Sequence, residues 1–245
     1  MLEALKHKGF DKLFYRYNSL YLIRRHFRYF GAAGDFKPES ADGRPLLYIM
    51  NHSSWWDGLL AYHAVRTLTS SEHYFMMEEE QLRKYTFFRK LGAYSIDRSS
   101  TRDIQTSLRY TANLLRNGGS VWMYPEGEIR LLEHRPLSLK MGVGVVLRLC
   151  PDAAVVPVTL YHGLFRHPKP EAVLLAGEPL IYRWKELERE VISMKLQTAL
   201  EHQLDQQRQE MIEHGGFIPD RYKPLMKSGK STHERFDSFF DRWRR

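Results

Sequence analysis

The sequence predicts an α/β fold: a single domain built on a mixed β-sheet flanked by helices, with amphipathic helices at the N- and C-terminal ends. Three observations carry this prediction. Short apolar runs alternate with longer segments of helical periodicity between residues 46 and 212, which is how strand–helix units sharing one sheet read in sequence. Hydrophobic residues make up 43% of the 245 positions, enough to fill a core in a chain whose length suits one α/β unit with extensions. No run of about 18 or more apolar residues occurs, so no transmembrane helix is expected.

The elements follow in order. Residues 1–35 read as a basic amphipathic segment: Lys6, Lys8, Lys12, Arg16, Arg24, Arg25 and Arg28 stand against only Glu3 and Asp11 over residues 1–30. Phe10, Leu13, Phe14, Tyr17, Leu20, Tyr21 and Phe27 recur there, mostly at three- and four-residue intervals. That pattern suits a helix lying on an anionic membrane and equally a helix packed onto the domain, and both readings stay open. Residues 36–213 form the central domain. Its candidate strands are Leu46 to Met50, His73 to Met77, Ala93 to Ile96, Ser120 to Tyr124, Ala154 to Tyr161 and Ala172 to Ala176. Its candidate helices are Asp57 to Leu68, Gln81 to Leu91, Thr101 to Asn117, Gly142 to Leu149 and Lys185 to Ile212. The last is so highly charged, with Val191, Met194 and Leu196 as its main apolar residues, that a surface helix is expected.

Residues 214–245 read as a linker and a terminal amphipathic helix. Gly215, Gly216, Pro219, Pro224 and Gly229 interrupt regular structure. Phe236, Phe239, Phe240 and Trp243 then fall at i, i+3, i+4 and i+7 among Arg235, Arg242, Arg244 and Arg245, with Ser231 or Thr232 as a cap. Such a stripe needs a cover, whether the N-terminal helix, a membrane or a second subunit. The first residues, Met1 to Lys6, lack the apolar core and cleavage site of a signal peptide. The one cysteine, Cys150, precludes an internal disulfide, fits a reducing cytosol, and reads as a buried structural thiol beside Leu147 and Leu149. No metal-ligand spacing is present, so no metal site is expected.

The most informative stretch is Asn51-His52-Ser53-Ser54-Trp55-Trp56-Asp57-Gly58, directly after the first apolar run. His52 and Asp57 stand five positions apart. A continuous helix would set them about 140° apart, and a continuous strand would put them on opposite faces. They meet only if the backbone passes from strand through turn to helix between them. Leu46 to Met50 reads as a buried strand, and Ser53 or Ser54 could cap a helix running through Leu59, Leu60 and Ala64, so the sequence supports that change. A carboxylate accepting from one imidazole nitrogen leaves the other free as a general base. With eleven histidines in the chain, such a pairing by chance is about an even bet at average composition. Its weight therefore comes from two later segments. Leu91 to Arg98 combines a glycine turn, a short strand and the pair Asp97-Arg98; Val121 to Gly127 is an apolar strand ending in the tight turn Pro125-Glu126-Gly127.

With these motifs the chain resembles the glycerolipid acyltransferases typified by 1-acylglycerol-3-phosphate (lysophosphatidate) acyltransferases, as an atypical member. The family's His-x4-Asp motif corresponds to His52 and Asp57, its second motif to Gly92 to Arg98, its Pro-Glu-Gly motif to Tyr124 to Gly127, and its late Val-Pro-Val strand to Val156 to Val158. All occur in order between Leu46 and His162. The resemblance implies that residues 36–213 are an acyltransferase catalytic domain. It implies transfer of a fatty acyl group from acyl-CoA or acyl-ACP (acyl carrier protein) to a hydroxyl of a lysolipid acceptor, lysophosphatidate-like, with His52 as general base oriented by Asp57. The acyl thioester is a co-substrate, and no further cofactor is implied. It places Arg98 and Arg130 as candidate charges for an acceptor phosphate, with surface cations as the plain alternative. Glu126 would order the pocket or bond acceptor hydroxyls. Backbone N–H groups near Gly127 or over Ser53 to Asp57 are candidates to steady the developing oxyanion. Lys140 resembles a downstream lysine of relatives, with no assigned role.

Departures from the family pattern fall on the acceptor side. Relatives usually read Pro-Glu-Gly-Thr-Arg, whereas this chain has Pro125-Glu126-Gly127-Glu128-Ile129-Arg130; where relatives tend to carry a lysine, it offers Met76, Met77 and Glu78-Glu79-Glu80. A phosphate site wants fixed positive charge, so a modified acceptor pocket is expected, and a glycolipid, carotenoid glycoside or lyso-aminolipid is the alternative acceptor. Trp55 and Trp56 could line an acyl groove or belong to the core. Because a lysolipid resides in the bilayer, the expected location is the inner face of the membrane, as a cytoplasmic, peripheral enzyme touching an anionic surface. A net charge of +8 would also suit a membrane-surface binding module, which has no use for ordered motifs. Nucleic acid is not an expected partner: the charge gathers at the termini and no recognition motif appears.

Overall fold

The computed structural model describes residues 1–226, so the aromatic stripe Phe236 to Trp243 lies outside the described residues. After an extended start, α1 (Lys8–Tyr17) continues through a π-helical turn, Asn18–Ile23, into α2 (Arg24–His26). The chain then forms β1 (Tyr29–Ala33), β2 (Leu46–Met50), α3 (Asp57–Leu68), β3 (His73–Glu78), α4 (Glu79–Lys84) and β4 (Ala93–Ile96). Next come α5 (Thr101–Arg116), β5 (Ser120–Met123), α6 (Gly142–Leu149), β6 (Ala154–Gly163), β7 (Glu171–Ala176), α7 (Arg189–Glu213) and β8 (Lys223–Pro224). The strands make one eight-stranded mixed sheet in the order β4-β3-β5-β2-β6-β7-β1-β8. Strands β4, β3, β5, β2 and β6 run parallel; β7 is antiparallel to β6, β1 parallel to β7, and β8 antiparallel to β1.

Period-two alternation explains why β2 is buried along its whole length. Leu46, Tyr48 and Met50 face a layer made by Leu60, Ala61, Ala64 and Val65 of α3 with Ile23 and Phe27 from the N-terminal helices. Leu47 and Ile49 face the opposite layer, where Leu108, Ala112 and Leu115 of α5, Val143, Val146 and Leu147 of α6, and Ile192, Leu196 and Leu200 of α7 pack. The domain is therefore a sheet between two helical layers. Its five parallel strands share a carboxyl edge, and α3 and α5 follow that edge in chain order. Cys150 is buried and unpaired within the second layer.

Three sequence expectations need correction. The Lys185 to Ile212 segment is not a surface helix. Its inward stripe is Ile192, Leu196, Leu200, Leu204 and Met211, joined by buried Gln203 and Gln207, while Met194 is 60% exposed. The two glutamines explain the misreading: Gln203 Nε2 donates to the Leu175 carbonyl at 2.8 Å and Gln207 Nε2 to that of Val173 at 3.1 Å. Polar residues thus occupy a core face by satisfying strand carbonyls. The single helix expected over Gln81 to Leu91 is α4 followed by a 3₁₀ stretch, Thr86–Leu91. Within residues 1–35 and the linker, β1 and β8 add strands that periodicity did not indicate. In β1 Gly31 is closely enclosed: a Cβ there would lie 2.6 Å from Tyr29 Cε1 and 3.0 Å from the Lys223 carbonyl oxygen.

Candidate active site

Strand β2 ends where its neighbour β6 continues, and Asn51 bridges the gap. Its Nδ2 donates to the Leu160 carbonyl at 3.1 Å and its Oδ1 accepts from Leu160 N at 2.8 Å, so a side-chain amide extends the ladder past Met50. His52 follows at the carboxyl edge of the sheet. The turn Ser53 to Trp56 then reverses the chain into α3, whose first residue is Asp57. The serines were expected to cap this helix; the N-cap position is instead Trp56, and no side chain caps it. Asp57 Oδ2 accepts from Ser53 N at 2.7 Å and Ser54 N at 3.0 Å, while Ser54 Oγ accepts from Trp56 N at 3.0 Å. A carboxylate in the first turn of a helix is stabilised by the helix dipole, and here also by the N–H groups of the preceding turn.

The same Asp57 oxygen lies 2.8 Å from His52 Nδ1. Strand, turn and helix thus bring together the two residues that a single regular element would keep apart. Asp57 is fully buried, whereas the His52 side chain is 24% exposed. With Nδ1 held by a carboxylate, the proton of a neutral imidazole resides on Nδ1 and Nε2 is left as the basic nitrogen.

The Pro-Glu-Gly segment grips the histidine by its backbone. Glu126 Oε2 accepts from His52 N at 3.0 Å, and Arg130 N donates to the His52 carbonyl at 2.8 Å. Glu126 is buried, with Oε1 unpartnered among the described residues. Burial pushes its carboxyl upward against the lowering effect of the His52 N–H and of Arg130. Gly127 sits at φ 76°, the left-handed region that favours glycine. Its N–H closes a turn onto the Tyr124 carbonyl at 3.0 Å. The Tyr124 ring packs 4.7 Å from the imidazole of His52, and its buried hydroxyl has no partner among the described residues. Burial, and next the charge of Asp57, raise the Tyr124 phenol well above its ordinary value.

Arg98 and Arg130 both reach this edge, but each already has partners. Arg98 Nε pairs with Glu78 Oε2 at 2.5 Å, and its Nη1 donates to the Gly127 carbonyl at 2.5 Å. Arg130 Nη2 pairs with Glu128, and its Nη1 donates to His134 Nε2 at 3.0 Å. Among the N–H groups over Ser53 to Asp57 and near Gly127, those of Ser53 and Ser54 are committed to Asp57, that of Trp56 to Ser54 Oγ and that of Gly127 to Tyr124. Of the two tryptophans, Trp56 packs against Phe27 and the core beneath, while Trp55 is 61% exposed. Lys140 N donates to the Pro125 carbonyl at 2.7 Å.

Three participants escaped the sequence reading. Asn51, Tyr124 in its contact with the imidazole, and His162 act through partners distant in the chain. His162, in β6, lies with Nε2 3.1 Å from Ser53 Oγ, so it touches the turn that holds Asp57; burial lowers its pKa despite the opposing charges of Asp57 and Glu133. A histidine closing a late apolar strand was the one available signal. Among the described residues no group of three His, Cys, Asp or Glu side chains is arranged to hold a metal ion.

The family model for acyltransferases matches residues 35–161, more than half of the chain. That span runs from just after β1 into β6 and includes His52, Asp57, Arg98, Glu126, Gly127 and Arg130. Among solved structures, the crystal structure of the 1-acyl-sn-glycerophosphate (LPA) acyltransferase PlsC from Thermotoga maritima is similar at 16% identity. The match covers 81% of this chain and 77% of that chain, with a TM-score of 0.49. A search of curated proteins found no significant match.

Proposed function

This chain belongs to the acyltransferase family, and from that premise we propose that it moves a fatty acyl group from a thioester donor, acyl-CoA or acyl-ACP, to a hydroxyl of a lysolipid. The observation that carries the reading is the 2.8 Å contact between His52 Nδ1 and a fully buried Asp57. His52 Nε2 takes the proton of the acceptor hydroxyl as that oxygen attacks the thioester carbonyl. Asp57 fixes the tautomer and steadies the imidazolium. When the tetrahedral intermediate collapses, the C–S bond breaks and the imidazolium returns the proton to the departing thiolate. The products are an ester and a free thiol. The acceptor is itself the nucleophile, so no acyl-enzyme forms.

Glu126 and the Arg130 backbone act one step away as positioning groups, because they hold the His52 N–H and carbonyl between them. A base displaced by about 1 Å can lose on the order of 10²-fold in rate, so a grip on both backbone groups is consistent with general-base work.

The acceptor's acyl chain favours a bilayer, and the N-terminal helices support attachment to one. Leu13, Tyr17, Leu20 and Tyr21 are exposed on one side of α1 and the following turn, beside exposed Arg16, Arg24 and Arg25. No helix among the described residues is long and apolar enough to cross a membrane. In this reading the enzyme works as a peripheral protein on the anionic, cytoplasmic leaflet, with the apolar residues entering the interface and the arginines facing head groups. The test of the chemistry is to incubate the pure protein with labelled acyl-CoA or acyl-ACP and a panel of lysolipids, then identify the product. A labelled diacyl lipid with release of one thiol per ester is the expected result. Thioester hydrolysis alone, with no acylated lipid, would contradict the reading.

A further inference from the structure

Three cations surround the turn at Gly127, and two of them are already matched by carboxylates. Arg98 spends Nε on Glu78 and Nη1 on the Gly127 carbonyl. Arg130 spends Nη2 on Glu128 and Nη1 on His134. A guanidinium grips a phosphate through two adjacent N–H groups, either Nη1 with Nη2 or Nε with Nη2. On Arg98 both Nε and Nη1 are engaged, and on Arg130 both Nη1 and Nη2. Each guanidinium is therefore already charge-matched by a carboxylate of the protein. Recruiting one would leave Glu78 or Glu128 close to the incoming phosphate, a like-charge contact that favours neither ion. The remaining cation is Lys140. A Cβ built on Gly127 would stand 3.6 Å from Lys140 Cγ and 3.8 Å from its Cε, so the lysine stem crosses the turn. Its ammonium is exposed and has no ion-pair partner among the described residues.

Accepting the lysolipid acylation proposed above, we propose that the acceptor head group carries a single negative charge, as a phosphate diester does, and that Lys140 is the residue that reads it. A phosphate monoester brings about −1.5 to −2 charges at neutral pH, more than this edge has unmatched positive charge to meet. A diester brings one, and the lysine binds it as a point charge without needing a fork. The acidic residues Glu78 and Glu128 are then selectivity elements, holding the two arginines away from dianionic acceptors.

The test uses three acceptors of equal chain length: lysophosphatidate (monoester), lysophosphatidylglycerol (diester) and monoacylglycerol (uncharged). The full-length enzyme should favour the diester by about tenfold or more in kcat/KM. Lys140→Gln should erase the diester's advantage over the uncharged acceptor, chiefly through KM. Glu78→Gln combined with Glu128→Gln should release both guanidinium groups and raise kcat/KM for the monoester by about tenfold. Wild-type preference for the monoester or the uncharged acceptor overturns the proposal, as does a double variant whose monoester-to-diester ratio is unchanged. Equilibrium binding of the three lipids to His52→Ala protein gives the same ranking without turnover. Acylation of none of them defeats the acyl-transfer reading itself, a result distinguishable from acylation in the wrong order.

Discussion

Asp57 Oδ2 accepts from two backbone N–H groups and lies against the His52 ring, so a change of one atom there separates chemistry from fold. In Asp57→Asn an amide oxygen at the Oδ2 position can still take the turn N–H bonds and face the His52 ring, but it brings no charge to stabilise an imidazolium, and its NH₂ falls at the Oδ1 position. We expect kcat to fall on the order of 10²–10⁴-fold with an unchanged far-ultraviolet circular dichroism spectrum; retention of wild-type kcat would remove Asp57 from the mechanism. The His52–Asp57 relation could be read from sequence because five residues of local chain determine it. The surroundings could not. Asn51 works through Leu160, His162 through Ser53, and the side chain of Glu126 through the His52 N–H. A bond between a side chain and a distant residue leaves no periodicity to find. The arginines carry the same lesson: Arg98 and Arg130 were visible as charges, but their carboxylate partners determine what those charges can do.

At the scale of elements, β3 carries a group whose protonation the fold opposes. His73 Nδ1 accepts from Trp122 Nε1 at 3.1 Å, and its Nε2 lies 2.7 Å from Thr69 Oγ1. Burial, helped by Lys6 and Arg66, pushes its pKa down from 6.5 to about 3. In the unfolded chain the same imidazole takes a proton below about pH 6.5. Stability linked to His73 is therefore fully present above that pH and is lost as pH falls towards the folded value. His63 on α3, also lowered by burial, acts in the same sense. In His73→Gln the amide can replace both hydrogen bonds but does not titrate. Its urea midpoint should fall less between pH 7 and pH 4.5 than that of the wild type, and parallel losses in the two proteins would show that His73 is not a source of acid sensitivity. The six strands of the central domain were legible because each is an apolar run bounded by turn residues. Strand β1, with a central glycine, exists through pairing with β7 and with the two-residue edge strand β8, and that pairing is non-local. The inward face of α7 was hidden because Gln203 and Gln207 occupy core positions.

For the molecule as a whole, the N-terminal segment serves both the fold and the proposed attachment. Phe14, Ile23 and Phe27 are buried, and Tyr29–Ala33 is a strand of the sheet. Deleting residues 1–30 would strip a wall from the core, so loss of vesicle binding after deletion would not discriminate. Replacing the exposed Leu13, Tyr17, Leu20 and Tyr21 with serine leaves the buried side intact. That variant should keep its unfolding midpoint and lose sedimentation with anionic vesicles. Arg16→Gln, Arg24→Gln and Arg25→Gln together should weaken binding by about 1 kcal/mol per charge at low salt and flatten its salt dependence. Undiminished vesicle binding by both variants would move the attachment site elsewhere.

The proposed chemistry rests on His52 as the general base of an acyl transfer. The most direct measurement compares wild-type and His52→Ala protein in one assay, with labelled acyl thioester and lysolipid-bearing vesicles, following ester formation while confirming the fold by thermal unfolding. We expect a fall in kcat on the order of 10²–10⁴-fold at an unchanged unfolding midpoint, with no labelled protein trapped in either sample. A folded His52→Ala protein that forms the ester at the wild-type rate would contradict it.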